Sequence, residues 1–132
     1  MKEIEIYIDG AAKGNPGPAG IGVIIYHGGE AIKNISRHIG RATNNVAEYT
    51  ALIYALQEAL ILKARKVKVL TDSELLCKQI KGEYKVRHEN LKPLFARIQH
   101  LMINFASFEI QHIRREYNCG ADKLASQAAK EN

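Results

Sequence analysis

The feature that most constrains this fold is a change in the rhythm of apolar residues, from every second position to every third or fourth. Residues 3–9 alternate, with Ile4, Ile6 and Ile8 on one face and Glu3, Glu5 and Tyr7 on the other, the period of a half-buried strand. A connector rich in Gly and Pro runs from Gly10 to Gly20, and Gly14, Gly17 and Gly20 are read there as turn geometry. Ile21 to Tyr26 is rich in β-branched residues and reads as a second strand. The short His27-Gly-Gly-Glu30 turn predicts an antiparallel partner over about 31–39. Then the rhythm changes. Thr43 or Asn44 can cap a helix running to about Leu62, with Val46, Ala47, Leu52, Ala55, Leu56, Ala59 and Leu60 at helical spacing. Lys66–Thr71 reads as a strand, and Ser73 caps a short helix to about Ile80 that Gly82 ends. A further helix is expected over about 90–104 with Pro93 in its first turn, then a strand at Phe108–Ile113 and a closing helix over about 118–130. This order implies an α/β fold, with a mixed sheet and helices packed against it.

The chain has 132 residues, which fits a single domain over 1–132. Lys and Arg outnumber Asp and Glu by nineteen to fourteen, for a net charge of +5. The excess sits in residues 60–100, which hold ten basic and four acidic side chains. A locally basic surface suits a polyanionic partner, although a solvated basic face is the plain alternative. Cys77 and Cys119 lie far apart, with neither a CxxC pair nor a disulfide framework; both are read as reduced thiols. The N-terminus has no stretch resembling a signal h-region, and no apolar run approaches the roughly 20 residues that span a bilayer. The expectation is a cytoplasmic monomer with no membrane partner.

Four acids fall where chemistry can gather. Asp9 ends the first strand, Glu48 lies near the start of the long helix, Asp72 follows the Lys66–Thr71 strand, and Asp122 opens the last helix. In an open α/β sheet such strand ends and helix starts converge at one rim. Carboxylates gathered there raise one another's pKa unless a cation neutralises them. Mg²⁺ prefers such oxygen donors, and a pair of ions can serve phosphodiester hydrolysis. Taken singly, each acid has a simpler reading. An Asp at a strand end is a turn former or cap, and Glu near a helix N-terminus complements the macrodipole.

The residues around these acids narrow the choice. Asp9-Gly-Ala-Ala-Lys-Gly-Asn-Pro-Gly-Pro-Ala-Gly20, Thr43-Asn-Asn-Val-Ala-Glu48-Tyr-Thr-Ala-Leu52, Thr71-Asp-Ser-Glu-Leu75 and Arg115-Glu-Tyr-Asn-Cys-Gly-Ala-Asp122-Lys-Leu-Ala125 resemble the four motif blocks of type 1 ribonuclease H, in the family's order and spacing. The resemblance implies a ribonuclease H-like, five-stranded mixed sheet with its first three strands antiparallel. It implies endonucleolytic hydrolysis of the RNA strand of an RNA–DNA hybrid, leaving 3′-hydroxyl and 5′-phosphate ends. By that resemblance Asp9, Glu48, Asp72 and Asp122 are catalytic metal ligands for two Mg²⁺ ions, with Mn²⁺ as a substitute. Gly10, Asn15, Arg41, Thr43, Asn44 and Asn45 are substrate contacts, Asn15 at ribose 2′-hydroxyls. An Asn side chain both donates and accepts, and the wide minor groove of an A-like duplex displays those hydroxyls. For Thr43 and Asn44, helix capping is the competing role, and both roles can hold at once.

Departures from the family pattern are also legible. The segment Arg114–Gly120 contains no His, where many members carry one before the last Asp. Glu116 or a water is expected to take its place, and His112 is read as structural. The sequence resembles the short-loop subgroup. The basic helix that some relatives use as a substrate handle is absent, and Lys78, Lys81, Lys85 and Arg87 are read as a partial replacement. Double-stranded RNA stands as a second candidate substrate. A binding module that grips nucleic acid without cutting, and a relative acting on DNA, are the competing readings.

Overall fold

Main-chain pairing sets the order of the molecule, and a computed structural model describes residues 3–130 of it. Three strands, β1 (Glu3–Ala12), β2 (Gly17–His27) and β3 (Glu30–Ala42), form antiparallel hairpins. β4 (Lys66–Thr71) then pairs parallel with β1, and β5 (Ser107–His112) parallel with β4. The sheet order is β3-β2-β1-β4-β5, so the five-stranded mixed sheet expected from the resemblance is what forms.

The first hairpin differs from the expectation in one respect. The connector expected over Gly10–Gly20 contracts to residues 13–16, because Ala11 and Ala12 stay in the ladder opposite Gly20 and Ala19. Lys13 N–H closes the turn onto Pro18 O at 2.8 Å. Gly14 is a true turn glycine at φ 114°. Gly20 is not: it lies within β2, and a Cβ there would come 2.4 Å from Ala129 N. Small residues at this point let a helix backbone sit directly on the strand.

The helices cover both faces. α1 (Asn44–Ile61) is capped by Thr43, whose side-chain oxygen accepts from Val46 N–H. It packs on β1 and β2 and against α3 (Lys92–Met102). Being held between sheet and helix, α1 buries more than one stripe, although Leu60, expected at a core position, is exposed at its free end. α2 (Glu74–Ile80) is capped by Ser73, and Gly82 ends it at φ 82°. After β5 a single 3₁₀ turn (Arg115–Tyr117) leads into α4 (Cys119–Lys130), whose Ala121, Ala125, Ala128 and Ala129 lie against β2.

Alternation along β1 then does the positioning. Ile4, Ile6 and Ile8 face Leu52, Leu56 and Ala59 of α1 and are buried with Ile21, Val23, Ile25, Val67 and Val69. Each such Ile or Leu stabilises the fold by roughly 1.5–3 kcal/mol. Asp9, one residue on, points to the α4 face opposite Gly22. Among the described residues, no helix is long and apolar enough to cross a membrane.

Candidate active site

Strand register brings the first two acids together. Ile8 pairs with Thr71 across the parallel β1–β4 ladder, so Asp9 and Asp72 are the next residues on neighbouring strands. Asp9 is 4% exposed. Glu48 is 5% exposed and reaches the same rim from just past the first turn of α1. Its Oε1 accepts the Gly10 N–H at 2.8 Å. A Cβ on Gly10 would come 2.3 Å from Ala47 C and 2.4 Å from Glu48 N, so the lack of a side chain is what lets α1 press onto β1 and seat Glu48. Asp72 precedes the α2 cap, and its Oδ2 accepts from Asn118 Nδ2 at 3.3 Å. Carboxylate oxygens of Asp9, Glu48 and Asp72 all lie within 4.8 Å of one another. Asp122, in the first turn of α4, lines the same cleft and raises the Asp9 carboxyl further.

The cluster is electrostatically uncompensated. Burial, followed by the charges of Asp72 and Asp122, pushes the Asp9 carboxyl up to about 8. Burial, followed by Asp9 and Asp72, holds Glu48 well above the usual carboxylate range, with the Gly10 N–H opposing. Among the described residues no ion pair reaches Asp9, Glu48 or Asp72. Arg115 stands beside Asp122, at 3.7 Å, on an 81% exposed side chain. The donor set therefore fits a hard divalent cation: crowded carboxylate oxygens, no soft ligand, and no basic side chain paired with the three clustered acids.

These residues line a cleft of about 430 Å³ that also includes Lys13, Asn44, Ser73, Arg115 and Ser126. The residues read as substrate contacts sit beside it. Asn15 Oδ1 accepts the Asn44 N–H at 3.0 Å, joining the 13–16 turn to the start of α1. Arg41 reaches Pro16 O at 3.5 Å. Thr43 is the α1 cap, and Asn44 and Asn45 are exposed at the helix start. Gly10 is buried, with its amide committed to Glu48.

Other expectations change. Glu116 faces Arg114 at 3.9 Å and does not line the cleft; Arg115 does. His112, read as structural, ends β5 with an exposed side chain. Of the four basic residues read as a partial handle, Lys78 is paired with Glu74 at 3.4 Å and with Tyr84 Oη at 3.3 Å. Lys81, Lys85 and Arg87 are exposed. Sequence reasoning passed over Asn118, which is 1% exposed and touches both β1 and Asp72. Its signal was modest: an Asn one residue before a helix start is a cap-type residue.

Similarity to known proteins supports this geometry. A family model described as reverse transcriptase-like matches residues 7–128. A bifunctional protein of Mycobacterium tuberculosis is 39% identical over 128 residues, 96% of this chain and 35% of that protein. A ribonuclease HI of Halobacterium salinarum is 38% identical over 126 residues, 95% of this chain and 63% of that protein. The chain thus spans about a third of the mycobacterial relative and under two-thirds of the archaeal one. The solved RNase H1 of Halobacterium salinarum superposes with a TM-score of 0.93 at 38% identity, covering 96% of each chain. LC11-RNase H1, solved in complex with an RNA/DNA hybrid, gives 0.91 at 44%, again covering 96% of each. A match running through all five strands, with a relative of that name aligned over 95% of the sequence, places the chain in the type 1 ribonuclease H family.

Proposed function

We propose that this chain is a metal-dependent endoribonuclease that hydrolyses the RNA strand of RNA–DNA hybrids, with Asp9, Glu48, Asp72 and Asp122 as its metal-binding catalytic carboxylates. The observation that carries this reading is the cluster of Asp9, Glu48 and Asp72, whose oxygens lie within 4.8 Å of one another, with Asp9 and Glu48 buried and no cationic partner among the described residues. Such a cluster costs stability in the free protein and makes sense as a divalent-cation site. Mg²⁺ is the expected ion, two per site, with Mn²⁺ able to substitute; when bound, these ions supply charge neutralisation and Lewis acidity at the scissile phosphate.

The chain's own residues do the rest. Gly10 fixes Glu48 through its amide. Asn15 has Oδ1 occupied by Asn44 N–H, which leaves its Nδ2 free to donate to a ribose 2′-hydroxyl in the minor groove. Thr43, Asn44 and Asn45 present the positive end of α1 to backbone phosphates, with Arg41 alongside. Arg115 places a cation at the lip of the cleft, where phosphate charge would enter. In the reaction, water adds to phosphorus and the P–O3′ bond breaks. The water's hydroxyl oxygen stays on phosphorus, its other proton balances the leaving 3′ oxygen as a hydroxyl, and the phosphate remains on O5′ of the downstream fragment. The hybrid in the LC11-RNase H1 complex supports the substrate class.

The test is cleavage of end-labelled hybrid with Mg²⁺, Mn²⁺ or excess chelator. We expect RNA-strand products with 3′-hydroxyl ends in both metals and none in chelator. Full activity in chelator overturns the metal reading. Tight hybrid binding without cutting in any metal makes the chain a binding module. Parallel lanes of double-stranded RNA and double-stranded DNA define the substrate class.

A further inference from the structure

The clustered carboxylates are held by different means. Glu48 is fixed by a backbone amide, that of Gly10. Asp72 is fixed by a side chain: Asn118 Nδ2 is the hydrogen-bond donor on its carboxylate, at 3.3 Å. The same Nδ2 donates to Ile8 O at 2.8 Å. Ile8 precedes Asp9 in the chain and pairs with Thr71, which precedes Asp72. One amide group therefore bridges the main chain under one acid and the carboxylate of another.

The backbone of Asn118 extends the bridge to a third acid. Its carbonyl accepts the Asp122 N–H at 3.0 Å, in the first turn of α4. Asn118 thus touches the surroundings of three acids from separate parts of the chain: Asp9 through Ile8, Asp72 directly, and Asp122 through the helix start. The residue is almost fully enclosed, and its other side-chain atom, Oδ1, is buried without a partner. A buried polar group left unsatisfied calls for an explanation. An apolar residue here would avoid the orphaned oxygen but would lose both Nδ2 bonds. The fold keeps the amide for the donor half.

We propose that Asn118 is a positioning residue that orients the Asp72 carboxylate toward a shared divalent-cation site with Asp9. The proposal rests on the nuclease reading for the identity of the ion. It differs from a general packing role because it predicts a change in metal affinity at constant fold. Partners that orient metal ligands change affinity by about 10- to 100-fold when removed.

The experiment is calorimetric titration of Mg²⁺ into the wild-type chain and Asn118→Ala, with unfolding temperatures measured in chelator and hybrid kinetics run across Mg²⁺ concentrations. Mg²⁺ affinity should fall by about 10- to 100-fold in Asn118→Ala. The Mg²⁺ concentration for half-maximal cleavage should rise in step, while KM for hybrid at saturating Mg²⁺ stays within about threefold. A folded variant that binds Mg²⁺ within about twofold of wild type overturns the proposal. A wild-type chain that binds no Mg²⁺ overturns both it and the reading it rests on.

Should Asn118→Ala fail to fold, the wild-type chain still answers through the Asn118 side-chain amide resonances in an ¹⁵N spectrum. We expect them to be protected from solvent exchange and to shift as Mg²⁺ is added. Resonances that exchange like exposed amides, or stay fixed at Mg²⁺ concentrations that shift the Asp72 backbone amide, overturn the proposal.

Discussion

Two clefts of nearly equal size are lined by acids, three in one and four in the other, and they differ in what surrounds those acids. The first, about 420 Å³, lies on the open sheet face near the starts of β1, β4 and β5 and includes Glu3, Glu5 and Glu109. The second, about 430 Å³, holds Asp9, Glu48, Asp72 and Asp122. In the first cleft Glu3 lies beside Lys66, and Glu5 beside Lys68, which in turn neighbours Glu109. Charges of opposite sign alternate across the strands, and all three acids are solvent-exposed. In the second cleft Asp9 and Glu48 are buried and, among the described residues, no cation is paired with the Asp9–Glu48–Asp72 cluster. Cleft volume does not distinguish the two, and one acid more or less does not either. Burial without compensation does, because that is the arrangement a bound cation would relieve.

The largest effect that could break this contrast is on catalysis. Asp9→Asn or Asp72→Asn removes one ligand charge and keeps the shape. We expect hybrid cleavage to fall on the order of 10³-fold or more, since metal stabilisation of the transition state is worth several kcal/mol. Glu5→Gln, the same loss of charge in the other cleft, should leave the rate within about twofold, given its exposure. Equal losses at both places, in matched single-turnover assays, would erase the distinction.

The next effect is on stability, and its sign is the informative part. The native Asp9 carboxyl is raised to about 8 by burial and by its acidic neighbours, whereas in the unfolded chain it ionises near 4. Between those values the native state holds a proton that the unfolded state has released, so stability falls as pH rises from about 4 to about 8. Asp9→Asn removes that penalty. In chelator at pH 8 the variant should melt above wild type, by on the order of 5 °C, and the gap should close toward pH 4. Adding Mg²⁺ should raise the wild-type melting temperature toward that of the variant, because the ion binds only the folded cluster. Calorimetric scans at pH 4, 6 and 8 decide it. A variant that melts below wild type at pH 8 in chelator would show that the cluster is not strained.

The same contrast explains what could be read from the residue order. The rhythm of Ile4, Ile6 and Ile8, the Thr43 and Ser73 caps and the Lys66–Thr71 run were legible because each depends on a few neighbouring residues. The gathering of the four acids in one cleft was legible because each sits inside a family block whose order follows the sheet. The strand ends at Ala12, Gly17 and Ala42 were not. Their Gly and Pro content signals a turn locally, and only pairing with β2 and contact with α4 keep them in the ladder. Asn118 was not legible as part of the site, because its contacts to Ile8 and Asp72 cross 110 and 46 residues. Arg115 and Glu116 could not be told apart from sequence. Which of two adjacent charges enters the cleft depends on the turn at Arg115–Tyr117.

The smallest expected effect tests the quiet cleft directly. Glu5→Lys sets like charges side by side with Lys68 on neighbouring parallel strands, and should cost roughly 0.2–1 kcal/mol at this exposed position. Lys68→Glu alone should cost a similar amount, through Glu5 and Glu109 on either side. Combining the two reverses the Glu5–Lys68 pair and should recover most of the first loss, though not the contact between residues 68 and 109. A double-mutant cycle by denaturant unfolding reads the coupling. Coupling below about 1 kcal/mol, weakening as salt is added, describes a solvated charge ladder whose residues can be exchanged. Coupling of several kcal/mol that salt does not touch would mean that Glu5 and Lys68 are held as rigidly as Glu48 is by Gly10. The open face would then have to be counted as a second organised site.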